Sequence, residues 1–214
     1  MPIHKVAIDP KVSQKVPTIY VETLEVNDIT VTRTPESLVQ KQRQFLDEWR
    51  GKTIEALESH PHFKAYRIIH EQFDAYPSDI PPAVENLYTR GILQGRFPSI
   101  NNVVDTCNLI SVKKLIPIGV FNSDAIKGDV TLRLAEEGDT FTPIGKTKTV
   151  KIEPSTPILE DDERIISSIG VRDANETKIT RNTKNLTLFS WGNSEVPRNH
   201  VSETLKETAK ALKQ

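Results

Sequence analysis

The run Asn101–Gly145 constrains the fold of this chain more than any other segment. It opens with four short polar side chains at the spacing i, i+4, i+7 and i+10, which places them on one face of a helix. A buried-strand pattern follows at Leu115–Phe121, and two short alternating segments come after it. A polar helix face that leads into a core strand can hold either a polar ligand or a tight turn. The four polar residues are Asn101, Asp105, Asn108 and Ser111.

Composition places the chain among globular proteins. Its 214 residues are 36% hydrophobic and 27% charged, which is enough to build a core, and the formal net charge is −1. Nucleic-acid binding would therefore have to rest on a local basic patch. The sequence has neither the run of about 18 apolar residues that a membrane span needs nor a signal-peptide pattern at its N-terminus. The single cysteine, Cys107, fits a small buried hydrophobe in a reducing compartment, so we expect a cytoplasmic protein with no membrane partner.

Helical patterns dominate the first half of the chain and strand patterns the second, which predicts an α+β fold. Residues 1–15 are polar and irregular, so we expect a loose arm before a single domain over residues 16–214. A strand is expected at Val16–Val26, and Thr34 is expected to cap a helix that carries Pro35 in its first turn. Further helices are expected to begin at Pro61, at Asp79–Pro82 and near His200 (about residues 200–213), and further strands at Asp129–Leu134, Ile158–Ile169 and Leu186–Trp191.

No standard catalytic or metal-binding motif is present. The five histidines and one cysteine include no H-E-x-x-H pattern and no zinc-ligand spacing. The sequence also has no glycine-rich phosphate loop and no G-x-S-x-G elbow. We therefore expect no metal and no cofactor, and whether the chain is an enzyme stays open.

Two blocks of sequence carry a resemblance to a known family. The first contains Asn102-Val103-Val104-Asp105, Asn108, Pro117, Phe121, Asp124, Gly128, Val130, Arg133, Ala135 and Gly138, and the second contains Arg172-Asp173, Thr177-Lys178-Ile179-Thr180 and Thr183-Lys184-Asn185. Over about residues 63–191 the chain resembles the B-three/B-four domain of the phenylalanyl-tRNA synthetase β subunit and its free-standing relatives. The resemblance implies a β-sandwich of unusual topology flanked by helices. It also implies an activity, because in the synthetase this domain hydrolyses a wrong amino acid from the tRNA 3′ end.

The chain departs from the family pattern at two places. Gly119 stands where the synthetase has a histidine, and Asp173-Ala-Asn-Glu176 stands where it has a glycine-rich segment with a glutamate that reads the amino acid. The pocket is therefore expected to differ, and tyrosine as the rejected amino acid does not carry over. The chain has no synthetase catalytic core.

The resemblance and the residue chemistry together give three sets of candidate residues. The catalytic candidates are Asn108, Asn175 and Thr177. The substrate-binding candidates are Asp105, Gly119, Arg172, Asp173, Glu176 and Asn185. The RNA-binding candidates are Lys146, Lys148, Lys178, Arg181 and Lys184.

Each set has a structural alternative. Asp105 and Asn108 either orient a water or bind an amino group, or they form a buried polar network that fixes the turn after the helix. Arg172 and Asp173 either form an ion pair that shapes the pocket or a surface pair of little energetic consequence. The loop at 175–178 either binds a ribose ester or makes side-chain turns, and the lysines either bind RNA or are solvated.

Our leading hypothesis is a tRNA-binding, editing-like protein that hydrolyses mischarged aminoacyl-tRNA in trans. Its partner would be the aminoacylated 3′ end of a tRNA. One alternative is a non-catalytic tRNA- or RNA-binding module of the same fold. The other is a small-molecule protein that binds or hydrolyses an amino acid or its ester.

Overall fold

The computed structural model describes residues 5–51, 53, 55–74, 81–168 and 172–213. Over these residues the fold is α+β, as the sequence predicts, with seven α-helices, one short 3₁₀ helix and three sheets. No helix within these ranges is long and apolar enough to cross a membrane.

The largest sheet has five strands: β1 (Val6–Ile8), β4 (Val130–Leu134), β7 (Pro157–Glu160), β8 (Ile165–Ser168) and β9 (Arg172–Asp173). Their spatial order is β1-β4-β7-β8-β9. Only β1 and β4 are parallel, with Val6 opposite Val130, and the other pairs are antiparallel. In the last pair Ser167 lies opposite Asp173, which fixes the polar edge described below.

The second sheet has three antiparallel strands in the order β2-β10-β3. Its bounds are β2 (Tyr20–Val26), β10 (Leu186–Gly192) and β3 (Gly119–Asn122). A third, two-stranded sheet pairs β5 (Thr140–Phe141) with β6 (Val150–Lys151). The central strand β10 is buried along nearly its whole length, because it is flanked by a strand on each side and covered by a helix.

The helices are α1 (Pro10–Lys15), α2 (Glu36–Glu48), α3 (Glu55–Glu58), α4 (Pro61–Gln72), α5 (Ala83–Gln94), α6 (Asn102–Lys114) and α7 (Arg198–Leu212), and the 3₁₀ helix is Ser123–Ala125. Helix α6 begins as its sequence suggests, because the Asn101 side chain accepts hydrogen bonds from the Val103 and Val104 amides. Helix α5 ends at Gly95, whose left-handed backbone suits glycine.

The main hydrophobic cluster contains side chains from both larger sheets and from several helices. The cluster includes Leu132, Leu159 and Ile166 of the five-stranded sheet, Phe121 and Phe189 of the three-stranded sheet, and Val12, Ile69 and Val201 of α1, α4 and α7. The two sheets therefore share one core, and a cavity opens beside it.

The expected loose arm is wrong over residues 5–15. Strand β1 extends the five-stranded sheet, Asp9 caps α1 by accepting a 2.7 Å hydrogen bond from the Lys11 amide, and Val12 is fully buried. The sequence hides these elements because they are only three and six residues long, and α1 has a single buried residue, Val12. Their order comes from contacts with β4 rather than from local propensity.

The strand expected at Leu115–Phe121 is shorter than predicted and starts at Gly119. Leu115 ends α6 in the left-handed conformation, and the Ser111 hydroxyl donates a 2.7 Å hydrogen bond to the Ile116 carbonyl. Pro117 has no amide hydrogen to offer a neighbouring strand. The polar helix face thus does hold a turn at this end.

The strand pair at Ile158–Ile169, the last strand and the C-terminal helix are confirmed within the described ranges. Ile169 lies outside the described residues, as do Asp79 and Ile80 of the helix start expected at Asp79–Pro82. The turn between β7 and β8 is held by Asp161, whose carboxylate accepts hydrogen bonds from the Lys127, Glu163 and Arg164 amides.

Candidate functional site

A cavity of about 350 Å³ lies between helices α4, α5 and α6 and the two larger sheets. Ligand pockets commonly measure about 300–1,000 Å³, so this one suits an amino acid or a group of similar size. One wall is apolar and aromatic. It is formed by Val21, Phe121, Leu132, Leu159, Phe189 and Trp191.

Trp191 anchors the aromatic wall. Its ring lies 5.9 Å from the rings of both Tyr66 and His70 and 6.5 Å from the ring of Phe73, measured between centroids. Tyr66 and His70 also line the cavity. The wall is therefore held by mutual ring packing, which is favourable in such tilted and edge-on arrangements.

Most hydroxyl groups along the cavity are already hydrogen-bonded to the protein backbone. Ser111 donates to the Ile116 carbonyl at 2.7 Å, and Ser190 donates to the Pro117 carbonyl at 2.6 Å. The Tyr66 hydroxyl donates to the Trp191 carbonyl at 2.7 Å. These three groups shape the cavity, but their protons are not available to a ligand.

A polar edge, formed by Ser167, Ser168, Arg172 and Asp173 of β8 and β9, lies along another part of the cavity. Ser167 Oγ donates a 2.8 Å hydrogen bond to Asp173 Oδ1. Burial raises the pKa of Asp173 to about 6, and the Ser167 hydrogen bond only partly opposes that rise. Ser168 is 2% exposed, and its hydroxyl has no hydrogen-bond partner among the described residues.

The ion pair considered for Arg172 and Asp173 does not form in the part of the chain that the structure describes. Arg172 is exposed and donates from Nη1 to the Ile144 carbonyl at 3.4 Å, whereas Asp173 accepts from Ser167. Both readings of the pair, as a pocket-shaping bridge or as a surface bridge, are therefore wrong. The Asp173 carboxyl group faces the cavity edge without that guanidinium as a partner.

Four of the candidate residues come together at this cavity: Asn108, Gly119, Arg172 and Asp173. The side-chain amide of Asn108 makes no hydrogen bond to another described residue, so its donors and its acceptor oxygen remain available to a ligand. A steric constraint favours glycine at position 119, since a Cβ built there would lie 3.0 Å from Cε2 of the Phe121 ring. The phenylalanine ring thus occupies the space that a side chain at position 119 would need.

Asp105 does not line the cavity. Its side chain is fully buried and accepts hydrogen bonds from the Thr34 hydroxyl and, at 3.1 Å to each oxygen, from the Ile100 amide. Burial raises the pKa of Asp105. Asp105 therefore fixes the chain around α6. The prediction that Thr34 caps α2 is wrong, because the residue before α2 is Pro35, and no side chain caps this helix.

The loop that follows β9 also lies outside the cavity lining. The Asn175 side-chain oxygen accepts a 2.8 Å hydrogen bond from Lys178 Nζ, and the Asn175 backbone amide donates to the Thr142 carbonyl. Thr177 is fully buried, and its carbonyl accepts from the Asn122 amide at 2.9 Å. Asn185 donates to Asp124 at 3.0 Å. These contacts tie the loop to the sheets.

Glu176 lines a second, more polar cavity beside β5 and the turn after β7. Within the described residues no group of three or more histidine, cysteine, aspartate or glutamate side chains is arranged to hold a metal ion. Cys107 is buried, and burial raises the pKa of its thiol to about 12, so it behaves as a core side chain.

Three histidines meet where α4 and α7 begin. His62 and His200 have ring nitrogens 3.5 Å apart, and the second ring nitrogen of His62 lies 3.3 Å from the Lys114 carbonyl. The His60 ring is 5.1 Å from the His62 ring. Burial lowers the pKa of both His60 and His62, and the neighbouring imidazoles add to the effect at His62.

Four of the RNA-binding candidates are exposed: Lys146, Lys148, Arg181 and Lys184. The fifth, Lys178, is half-buried and bound to Asn175. The structure adds two exposed arginines at the cavity itself, Arg90 and Arg172.

Several cavity residues escape the sequence prediction. They are His70, Arg90, Ser167, Ser168, Ser190 and Trp191. A signal does exist for two of them, because Ser167-Ser168 interrupt the apolar run that begins at Ile165-Ile166 in a buried strand. Polar side chains at buried strand positions need a partner or a ligand. His70 and Trp191 follow apolar periodicity and give no such signal.

Comparison with known proteins gives one consistent family. The model of the B3/4 domain matches residues 72–210. The phenylalanine–tRNA ligase β subunit of Mycoplasma genitalium is 32% identical over 111 residues, which are 52% of this chain and 13% of that protein. The same subunit from Protochlamydia amoebophila is 25% identical over 160 residues, which are 74% of this chain and 19% of that protein.

The fold is also similar to a solved structure. The crystal structure of an N-terminal fragment of the phenylalanyl-tRNA synthetase β subunit from Pyrococcus horikoshii has a TM-score of 0.50 and 16% sequence identity. The match covers 98% of this chain and 48% of that fragment. At this identity the likeness concerns the fold alone. The chain spans less than a fifth of the length of the two ligase subunits named above.

Proposed function

This chain belongs to the B3/4 domain family, and on that premise we propose that it binds the aminoacylated 3′ end of a tRNA and hydrolyses mischarged aminoacyl-tRNA in trans. The observation that carries the proposal is the amino-acid-sized cavity with an apolar wall and a polar edge. The relatives named above are phenylalanine–tRNA ligase subunits, and their names connect the family with tRNA.

In the proposed complex the amino acid side chain packs against the apolar wall. Asn108 is the proposed catalytic contact, because its amide is available to bind the ester carbonyl or to hold the attacking water. Neither Asn175 nor Thr177 lines the cavity, so the proposed complex does not include them as direct contacts. The remaining proton transfers are assigned to the terminal ribose hydroxyl and bound water, which fits a sequence without a standard catalytic motif.

The tRNA itself would be held by exposed cations. Arg90 and Arg172 stand at the cavity, where they can contact the phosphate nearest the 3′ end. Lys146, Lys148 and Arg181 are the proposed contacts farther along the tRNA, together with Lys184. Because such contacts release counterions from the phosphates, binding should weaken strongly as salt increases.

We also propose that the two larger sheets are the layers of the β-sandwich that the family resemblance implies. The shared cluster of Leu132 and Ile166 with Phe121 and Phe189 supports this assignment. Since β1 and α1 join the same core, we propose that the described residues form one structural unit.

A deacylation panel tests the proposed function. The full chain is incubated with several correctly and incorrectly charged tRNAs, and ester loss is compared with spontaneous hydrolysis. At least one mischarged species should be cleared faster than its control. Asn108→Ala should lower kcat/KM by about tenfold or more, which corresponds to about 1.4 kcal/mol. Asn182→Ala, the same change at an exposed position outside the cavity, should not. Rates equal to spontaneous hydrolysis on every tRNA would overturn the proposal.

A small-molecule function is the second candidate, and the size of the cavity is the observation that favours it. A protein of that kind would bind an amino acid or ester as tightly without RNA as with it. Binding of a tRNA at low salt, measured by gel shift, separates the two candidates. A blank gel shift together with amino acid binding would favour the small-molecule function.

A further inference from the structure

Two histidines outside the cavity have ring nitrogens that face each other. His62 Nε2 lies 3.5 Å from His200 Nδ1. The two residues stand in the first turns of α4 and α7 and are 138 positions apart in the sequence. His200 is exposed and His62 is partly exposed, so water reaches both residues. Their separation along the chain explains why no zinc-ligand spacing reveals the pair.

The second ring nitrogen of His62 determines which atom is available to a ligand. His62 Nδ1 lies 3.3 Å from the Lys114 carbonyl oxygen, which can only accept a hydrogen bond. We therefore assign the ring hydrogen to Nδ1, so that in the neutral ring Nε2 keeps its lone pair toward His200. Burial lowers the pKa of His62, which favours this neutral form. A histidine that binds a metal commonly donates its other ring N–H to a backbone carbonyl in the same way.

The distance between the two nitrogens suits one metal ion. Zn–N bonds measure about 2.0–2.1 Å, so nitrogens 3.5 Å apart subtend about 117° at the ion, which is near the tetrahedral angle. The same distance is long for a direct hydrogen bond, so the contact between the rings is weak without an ion. His200 would have to move its hydrogen from Nδ1 to Nε2, which an exposed ring can do because water accepts the new N–H.

The surroundings of the pair carry charges of both signs. The first turns of α4 and α7 present positive dipole ends, which oppose a cation, whereas the last turn of α6 presents its carbonyl groups. The Lys114 ammonium group is paired with the Glu207 carboxylate at 2.6 Å. The His60 ring lies 5.1 Å from the His62 ring, but its Nδ1 accepts a 3.2 Å hydrogen bond from the His62 backbone amide. His60 is thus the cap of α4, and nitrogen–metal bonds rather than net charge would have to supply the affinity for an ion.

We propose that His62 Nε2 and His200 Nδ1 bind one Zn²⁺ ion, with water in its remaining coordination positions. No group of three or more histidine, cysteine, aspartate or glutamate side chains in the described ranges is arranged to hold a metal, so the protein supplies two ligands. Such a site is weaker than a structural zinc site with four protein ligands. The expectation of no metal rested on sequence spacing, which does not reveal ligands that only folding brings together.

A bound ion would join the start of α7 to the start of α4. Helix α4 also carries Tyr66 and His70, which line the cavity. Zinc would therefore brace one wall of the cavity from outside it. The proposal does not depend on the proposed function, because the two histidines do not belong to the cavity lining with Asn108 and Asp173.

Calorimetry on the full untagged chain near pH 7.5 tests the proposal with Zn²⁺ alone. One ion should bind per chain, and Mg²⁺, which prefers oxygen ligands, should not bind. Binding should be lost near pH 5.5, because a protonated imidazole has no lone pair for a metal. At a zinc concentration about 100-fold above Kd, the midpoint of thermal unfolding should rise by about 5–10 °C.

Three variants complete the test. His62→Gln and His200→Gln should each weaken zinc binding at least about tenfold, since even the loss of an outer-shell partner costs a metal site that much. Circular dichroism should show that both variants fold, because neither ring is buried in the core. His60→Asn is the matched control. It removes the neighbouring imidazole, keeps a side chain that can cap α4, and should bind zinc as the parent chain does.

The proposal is overturned if the parent chain binds no Zn²⁺ at millimolar concentration, or if either glutamine variant binds it as tightly as the parent. It is also overturned if His60→Asn loses the ion to the same extent, because the ligands would then be different from those assigned. A zinc-dependent rise in the unfolding midpoint that His62→Gln retains would likewise place the ion elsewhere and refute the assignment.

Discussion

Asp173→Asn should stabilise the folded chain near neutral pH, although it alters a residue of the candidate site. Burial raises the pKa of Asp173 to about 6, against 3.8 for an unperturbed aspartate. The difference of about two between the pKa values corresponds to a loss of about 3 kcal/mol in the free energy of unfolding when the carboxyl is fully ionised. Because Asp173 is only half-buried, solvent screening reduces this figure, and we expect about 1–3 kcal/mol.

The sign follows from proton binding. Below about pH 4 the carboxyl is protonated in both the folded and the unfolded chain, and the group costs nothing. Between about pH 4 and 6 the unfolded chain ionises this carboxyl while the folded chain largely keeps its proton, so stability falls; above about pH 6 both are ionised and the loss stays constant. Asparagine does not titrate, and its side-chain oxygen can still accept the hydrogen bond from Ser167.

Urea unfolding measured at several pH values between about 4 and 7.5 checks the prediction. The free energy of unfolding of Asp173→Asn minus that of the parent chain should rise between about pH 4 and 6 and stay level from there to about pH 7.5. Asp129→Asn serves as the control, because it is the same change at an exposed position outside the cavity lining. A difference for Asp173→Asn that does not change with pH would refute the reasoning.

Other predictions concern the scaffold around the site. Thr34→Val removes the hydroxyl that donates to Asp105 and should cost about 1.5–3 kcal/mol in urea unfolding, whereas Thr34→Ser should cost little; equal losses for both would contradict it. Gly128→Ala should cost at least about 1–2 kcal/mol, because its backbone is left-handed and a Cβ would lie 1.8 Å from Asp162 Oδ2. Adding Asp162→Ala should recover the steric part alone, and complete recovery would show that no backbone strain exists. Burial lowers the pKa of His62, so the parent chain should lose stability relative to His62→Gln as the pH falls from about 7 to 5; parallel pH profiles would refute this.

Local patterns predict much of the fold. Helix α6 has a capping asparagine, two lysines in its last turn and alternating polar and apolar faces, so its bounds can be read from the sequence. The turn between β7 and β8 is marked by its adjacent carboxylates. Strand β1 and helix α1 are different, since they are only three and six residues long and depend on contacts with β4, which lies more than 100 positions away in the sequence.

The candidate site is only partly predictable. The motif blocks identify Asn108, Gly119, Arg172 and Asp173, which the fold brings to one cavity. The same blocks also contain Asp105 and Thr177, which the fold buries away from it. A sequence motif does not separate residues that hold a loop from residues that face a ligand, because both need polar side chains at fixed positions.

By itself, the sequence determines the fold class, the position of the main polar helix and the family, because these follow from periodicity, capping and two motif blocks. Only the tertiary structure decides which polar groups are already satisfied. Ser111 and Asp105 lie on the same predicted helix face as Asn108, yet both are hydrogen-bonded inside the protein. Of these three residues, only Asn108 lines the cavity with a side chain whose hydrogen-bonding groups are available. Hydrogen-bond partners come from distant parts of the chain, so the availability of a polar group to a ligand is a property of packing.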